Sequence, residues 1–143
     1  MKNLNSIFFF LLLSNLNNYS IQKYSLEIEV PNIKENGNIY IAIYDNAKDF
    51  NSGDESQEIM AYNIIEPVSE GIYIKKILLE KGDYAVKVLV DSNGNGDIDF
   101  NFLGFPKEQY GFSNNVIGLF SEPNFDKASV EINENKKIII TLR

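Results

Sequence analysis

Apolar and polar residues alternate along most of this chain, with the period of two that marks half-buried strands. In Tyr24–Val30, Leu26, Ile28 and Val30 face one side, and Ser25, Glu27 and Glu29 face the other. Asn38–Asp45 repeats the pattern, with Ile39, Ile41 and Ile43 inward and Tyr40 and Tyr44 on the outer or rim face. The segment Pro31–Gly37 between them reads as a turn, so the two strands are expected to pair as a hairpin. Asn46–Glu58 is polar and aperiodic, a loop with one helical turn near Ala47–Phe50. Ile59–Val68 is a weaker strand, which Pro67 either ends or places at a sheet edge.

Ile72–Leu79 is a strand whose alternation slips at Lys75 and Lys76, where a bulge is expected. Tyr84–Val90 sets Tyr84, Val86, Val88 and Val90 on one face. A leucine and a glycine just before Tyr84 resemble a tyrosine corner, and an ordinary buried aromatic is the equal alternative. Ala128, Val130 and Ile132 alternate again, and Lys137–Leu142 is the final strand. No long helical period occurs. About seven strands with turn signals between them predict a seven-stranded antiparallel β-sandwich, immunoglobulin- or transthyretin-like.

One long stretch breaks the alternation. Phe100 to Phe125 has no period, yet it carries Phe100, Phe102, Phe105, Tyr110, Phe112, Phe120 and Phe125. So many aromatics argue against disorder. A long, packed Ω-like loop across one end of the sandwich is expected.

Composition narrows the chemistry. The chain has 143 residues, 44% of them hydrophobic and 13% aromatic, which suits one domain with one core. It contains no cysteine, no histidine and no tryptophan. Disulfides, thiolate metal sites, the usual zinc sites and His-dependent triads are thereby excluded. At Met1–Ser20, Lys2 precedes the apolar run Ile7–Leu13 and polar residues follow it. The run is too short for a membrane span and reads as a secretory signal peptide cut near Ser20. A single domain over residues 21–143 is then expected to be exported, in the periplasm, at the outer envelope or secreted, with no transmembrane segment after cleavage. The formal charge of −7 disfavours nucleic acid, whose phosphates would be repelled, and suits a cation.

The candidate chemistry lies in Asp91–Asn115. Asp91, Asn93, Asn95 and Gly96 fit D-x-[DN]-x-[DN]-G, the front half of an EF-hand calcium loop. Calcium takes 6–8 oxygens, and acids and amides at alternate positions of a curled loop can all point inward. Asp97, through its carbonyl, and Asp99 extend the set. The twelfth position is Phe102 rather than glutamate, and the loop follows a strand rather than a helix. The last ligand would come from Glu108, Asp126 or a carbonyl. The alternative is a metal-free turn held by Asx-turns. Glu108, Tyr110, Phe112 and Asn114 are candidates for contacting a ligand.

The stretch also resembles a known family. Tyr84-Ala85-Val86, Asp91-x-Asn93-Gly94-Asn95-Gly96-x-x-Asp99, Asn101–Glu108 (NFLGFPKE) and Tyr110–Asn115 (YGFSNN) are similar to the bacterial domain-of-unknown-function family 2141. The resemblance covers about residues 24–143. It implies an exported β-sandwich domain of Gram-negative envelopes with no established activity. Members often carry a histidine just before the loop's first aspartate, where this chain has Val90.

These observations lead to one expectation and two rivals. The expectation is a non-catalytic exported domain whose Asp91–Asp99 loop binds calcium and orders the aromatic loop. The first rival is a module that binds a glycan or an envelope protein through Tyr110, Phe112 and their neighbours without metal. The second is a glycoside hydrolase, disfavoured because Asp97 and Asp99 are too close in sequence to flank a bond.

Overall fold

A computed structural model describes residues 20–52, 59–104, 106–118 and 122–143. The expected signal peptide, apart from Ser20, lies outside the described residues, as do Phe105 and Phe120. Among the described residues are eight strands: β1 (Lys23–Ile33), β2 (Gly37–Tyr44), β3 (Tyr62–Val68), β4 (Gly71–Glu80), β5 (Gly82–Asp91), β6 (Gln109–Phe112), β7 (Val130–Ile132) and β8 (Lys136–Ile139). Two one-turn helices, α1 (Ala47–Phe50) and α2 (Phe125–Ala128), complete the regular structure with a 3-10 turn at Ser113–Asn115. No helix among the described residues is long and apolar enough to cross a membrane.

The fold is all-β. One sheet runs β4-β1-β8 and the other β3-β2-β5-β6, with β7 also paired to β5. The inward residues of both sheets meet in one core: Leu26, Ile28 and Val30 from β1, Ile39, Ile41 and Ile43 from β2, Val86, Val88 and Val90 from β5. The expected inward set is therefore the observed one. The expected antiparallel count is not. Eight strands replace seven, and β1 pairs with β8 in parallel.

The hairpin expected from the first two strands does not form. β1 pairs with β4 and β8, whereas β2 pairs with β3 and β5 in the opposite sheet. Alternation states which face of a strand is buried, and either sheet of a sandwich satisfies it. The bulge is also displaced. β4 keeps an unbroken register with β1 from Glu80 to Tyr73, and the irregularity falls on β1 between Val30 and Ile33. Lys75 simply occupies an inward position at the sheet edge. Its ammonium pairs with Glu66 of β3, which also accepts from the Tyr73 hydroxyl at 2.6 Å. The Lys75 bond, then the Tyr73 bond, hold the Glu66 carboxyl below its ordinary value. Burial, then the Glu66 bond, push the Tyr73 hydroxyl up. This polar group closes the gap between the two sheets where β3 and β4 are both edge strands.

The helical turn at Ala47–Phe50 is as expected, with Asn46 capping it through a bond from Asp49 N at 2.9 Å. Ala128, expected in a strand, ends α2 instead. Tyr84 is buried, and among the described residues its hydroxyl makes no hydrogen bond, so it is a core aromatic rather than a tyrosine corner.

The chain's end ties the sheets together. Ile140 N donates to Glu29 O of β1, while Arg143 exchanges backbone bonds with Tyr110 of β6. Asn32 takes both polar groups of Leu142, at 2.6 and 2.9 Å. Asn115 bonds Ile139 O and Thr141 N, at 2.9 and 2.8 Å.

Candidate functional site

The outward positions of the second sheet are not all given to solvent. Cross-strand register stacks them in two rows. Ile65, Tyr40, Leu89 and Tyr110 form one, and Asn63, Ala42, Lys87 and Phe112 form the next. Ala42, the smallest member, lies between large neighbours and leaves the sheet surface concave there. Beyond the second row, Tyr44, Phe50, Phe112 and Phe125 pack edge to face as a second apolar cluster with Ala85 and Ala128. α1 and α2 supply Phe50 and Phe125, and Asn51 accepts from Phe125 N at 3.0 Å to join the two turns. At the other end, Gly96 and Ile98 of the Asp91–Asp99 loop rise beside Tyr40. The result is a groove of about 230 Å³ bordered by Tyr40, Ala42, Met60, Ile65, Tyr110 and Phe112.

Lys87 lies at the base of the groove. Its side chain is only 16% exposed. The ammonium is 5.0 Å from the Tyr44 ring centre and 4.9 Å from that of Phe50, within cation–π range. Its Nζ is 2.8 Å from a carboxylate oxygen of Glu122.

The Asp91–Asp99 loop has its own order. Asp91 is fully buried at the end of β5. Its Oδ1 accepts from Gly94 N at 2.6 Å and its Oδ2 from Gly96 N at 2.9 Å. Both glycines have positive φ, 77° and 81°, which turns successive N–H groups toward one point. Burial pushes the Asp91 carboxyl up, and the N–H donors of Gly96, Gly94, Asn93 and Asn95 together outweigh it, so the group sits below its ordinary value. Asn93 and Asn95 make Asx-turns to the N–H groups of Asn95 and Asp97, each at 2.9 Å. Their amide nitrogens both donate to Asp99 Oδ2, at 2.5 and 3.3 Å. Asp97 is exposed and joins the loop through its backbone. Glu108 is buried beneath, accepting from Ser92 N at 3.2 Å and Asp99 N at 3.3 Å. Among the described residues no three acidic side chains gather closely enough to hold a metal ion between them. The oxygens on offer are the carboxylates of Asp91 and Asp99 and the amides of Asn93 and Asn95. They are of the type calcium takes, and carbonyls or water would complete its shell of 6–8.

The four candidate ligand residues separate. Tyr110 and Phe112 face the groove. Glu108 supports the loop, and Asn114, at φ 59°, donates to Lys127 O and Ser129 O. The stretch expected to be one loop is cut by β6, whose pairing with β5 is what turns Tyr110 and Phe112 outward. Lys87, Ala42 and Glu122 were not singled out by sequence. Only the register of β2 against β5 sets Ala42 beside Lys87, and the segment before α2 brings Glu122 to the ammonium.

A family model described as an uncharacterised protein conserved in bacteria, DUF2141, matches residues 28–140. The chain belongs to this family. The DUF2141 match runs from β1 to just beyond β8, so it takes in the groove, the loop and Glu108. No curated protein and no solved structure matches the chain.

Proposed function

We propose that this DUF2141 domain is an exported, non-catalytic binding module whose ligand lies in the groove over the outer face of β3-β2-β5-β6. One observation carries the reading: Ala42 leaves a hollow among Tyr40, Tyr110, Phe112 and the Lys87 ammonium. Pockets that hold drug-sized ligands span roughly 300–1,000 Å³. A groove of about 230 Å³ therefore suits a small ligand or one group of a larger one. The absence of histidine and cysteine favours binding over catalysis, as does the commitment of Asp91 and Glu108 to backbone N–H groups. The test is ligand-observed NMR with a panel of aromatic, aliphatic and sugar fragments. Hits should shift the amides of Ala42, Lys87 and Tyr110, and Ala42→Leu should abolish them by filling the hollow. Hits that persist in Ala42→Leu, or that map elsewhere, would remove the groove from consideration.

A second reading, calcium in the Asp91–Asp99 loop, rests on the D-x-N-x-N-G spacing of Asp91, Asn93, Asn95 and Gly96 with Asp99 alongside. The ion would have to displace the amide donors that Asn93 and Asn95 aim at Asp99 Oδ2. Here the ion would stiffen the wall formed by Gly96 and Ile98. Mass action gives about 2.7 kcal/mol of stabilisation at a hundred times the dissociation constant. Melts with excess calcium and with chelator should then differ, and Asp99→Ala should erase the difference. Coincident melts in the wild type would leave the loop as turn chemistry alone.

A further inference from the structure

We infer that the groove takes a small carboxylate, bound through the Lys87 ammonium in exchange for Glu122. This rests on the groove reading above and names the ligand class. Three observations bear on it. First, the Lys87 side chain is 16% exposed and its charge is set between the Tyr44 and Phe50 rings, so it has given up much of its water. A cation so placed needs an anion beside it. Second, its partner Glu122 is 55% exposed and comes from the segment before α2 rather than from the sheet. Glu122, already more than half in water, gains solvent as it leaves, and an incoming carboxylate restores the contact that the poorly hydrated Lys87 ammonium would otherwise lose. Third, the space next to Lys87 is lined by Ala42, Tyr110 and Phe112, which match an apolar or aromatic body rather than a second charge.

The exchange makes and breaks no covalent bond. The ligand's carboxylate takes the Glu122 position on Nζ, its body lies over Ala42, and Glu122 swings into solvent. The site thus discriminates by charge at its base and by size at Ala42. Glu122 competes with the ligand, so it sets affinity without touching the ligand's body.

Benzoate and its uncharged analogue benzamide are the probes, titrated into the purified protein and followed by amide shifts at Ala42, Lys87 and Tyr110. Benzoate should bind about tenfold or more tightly than benzamide, the scale of a charge-assisted bond. Glu122→Gln should tighten benzoate severalfold and leave benzamide unchanged. Lys87→Met, which keeps the length of the stem, should bring benzoate down to the benzamide level. Equal affinity for the two probes at these residues would overturn the anion inference and leave the groove reading standing. So would a Glu122→Gln variant that binds benzoate no better, whether or not Lys87→Met folds. Silence of all three amides toward both probes would overturn inference and groove together.

Discussion

Asp91 organises more structure than its size implies. Its two oxygens hold the N–H groups of Gly94 and Gly96, and its burial makes those bonds depend on the charged form. Asp91→Ala should cost about 2 kcal/mol, because bonds to a charged acceptor are worth roughly 1.5–3 kcal/mol and the freed N–H groups lie near water. A shift in the urea midpoint measures it. The folded group titrates below its unfolded value, so its stabilisation is complete above roughly pH 4 and is lost as the pH falls through the folded value. The wild type should therefore lose stability below that point, and Asp91→Asn should flatten this part of the profile. Gly111 is a second site decided by space. A Cβ there would lie 3.0 Å from Ile140 and 3.1 Å from Leu142. Gly111→Ala should cost about 1–3 kcal/mol by overpacking, read as a lower melting temperature. Asp91 stands out in the sequence through its motif. Gly111 does not, because its neighbours lie some thirty residues away.

At the scale of elements, the strands were readable and their partners were not. Leu26, Ile28 and Val30 identify β1, but nothing in them distinguishes β2 from β4 as a neighbour. Two short elements, α2 and β6, are not legible for a related reason, although α1, equally short, is. α2 is one turn long, held by Phe125 in the aromatic cluster rather than by helical periodicity. The C-terminal segment is held between two amides, Asn32 on one flank and Asn115 on the other. Each replaces a ladder partner for a backbone that is leaving one sheet for the other. Asn32→Ala should cost about 1–3 kcal/mol, since it strands partly buried polar groups. Asn115→Ala, nearer solvent, should cost less. Because both act on the same four residues, the double variant should depart from additivity in a chemical-denaturation cycle.

For the whole molecule, the notable feature is that the second sheet is covered on both faces and the first on one. The outer face of β4-β1-β8 is exposed and laced with charge. Glu27 meets Lys76 and Lys137, and the bond to Lys76, more than that to Lys137, holds its carboxyl below the ordinary value. The outer face of the second sheet instead carries α1, α2 and the 91–99 loop at its two ends, and the groove is what remains between them. The topology also bears on folding. β1 cannot complete its sheet until β8 arrives, and Leu26 pairs with Lys136 across most of the chain. Refolding from urea should therefore take milliseconds to seconds, as for other folds dominated by distant pairings. A microsecond phase accounting for the full amplitude would contradict this.

The sequence by itself determined the all-β class, the inward faces of β1, β2 and β5 and the oxygen-rich turn after β5, and it left β3 as either an edge strand or one that Pro67 ends. Those follow from period-two burial and from local turn chemistry, which act within a few residues. The tertiary structure alone decided the rest. It set β1 and β2 in opposite sheets, made β8 parallel to β1, and cut the expected long loop with β6. It also brought Ala42, Lys87, Tyr110 and Phe112 into one hollow. Register across strands places those four side by side, and register is settled by which distant residues fill a common core, a constraint that no local window of sequence contains.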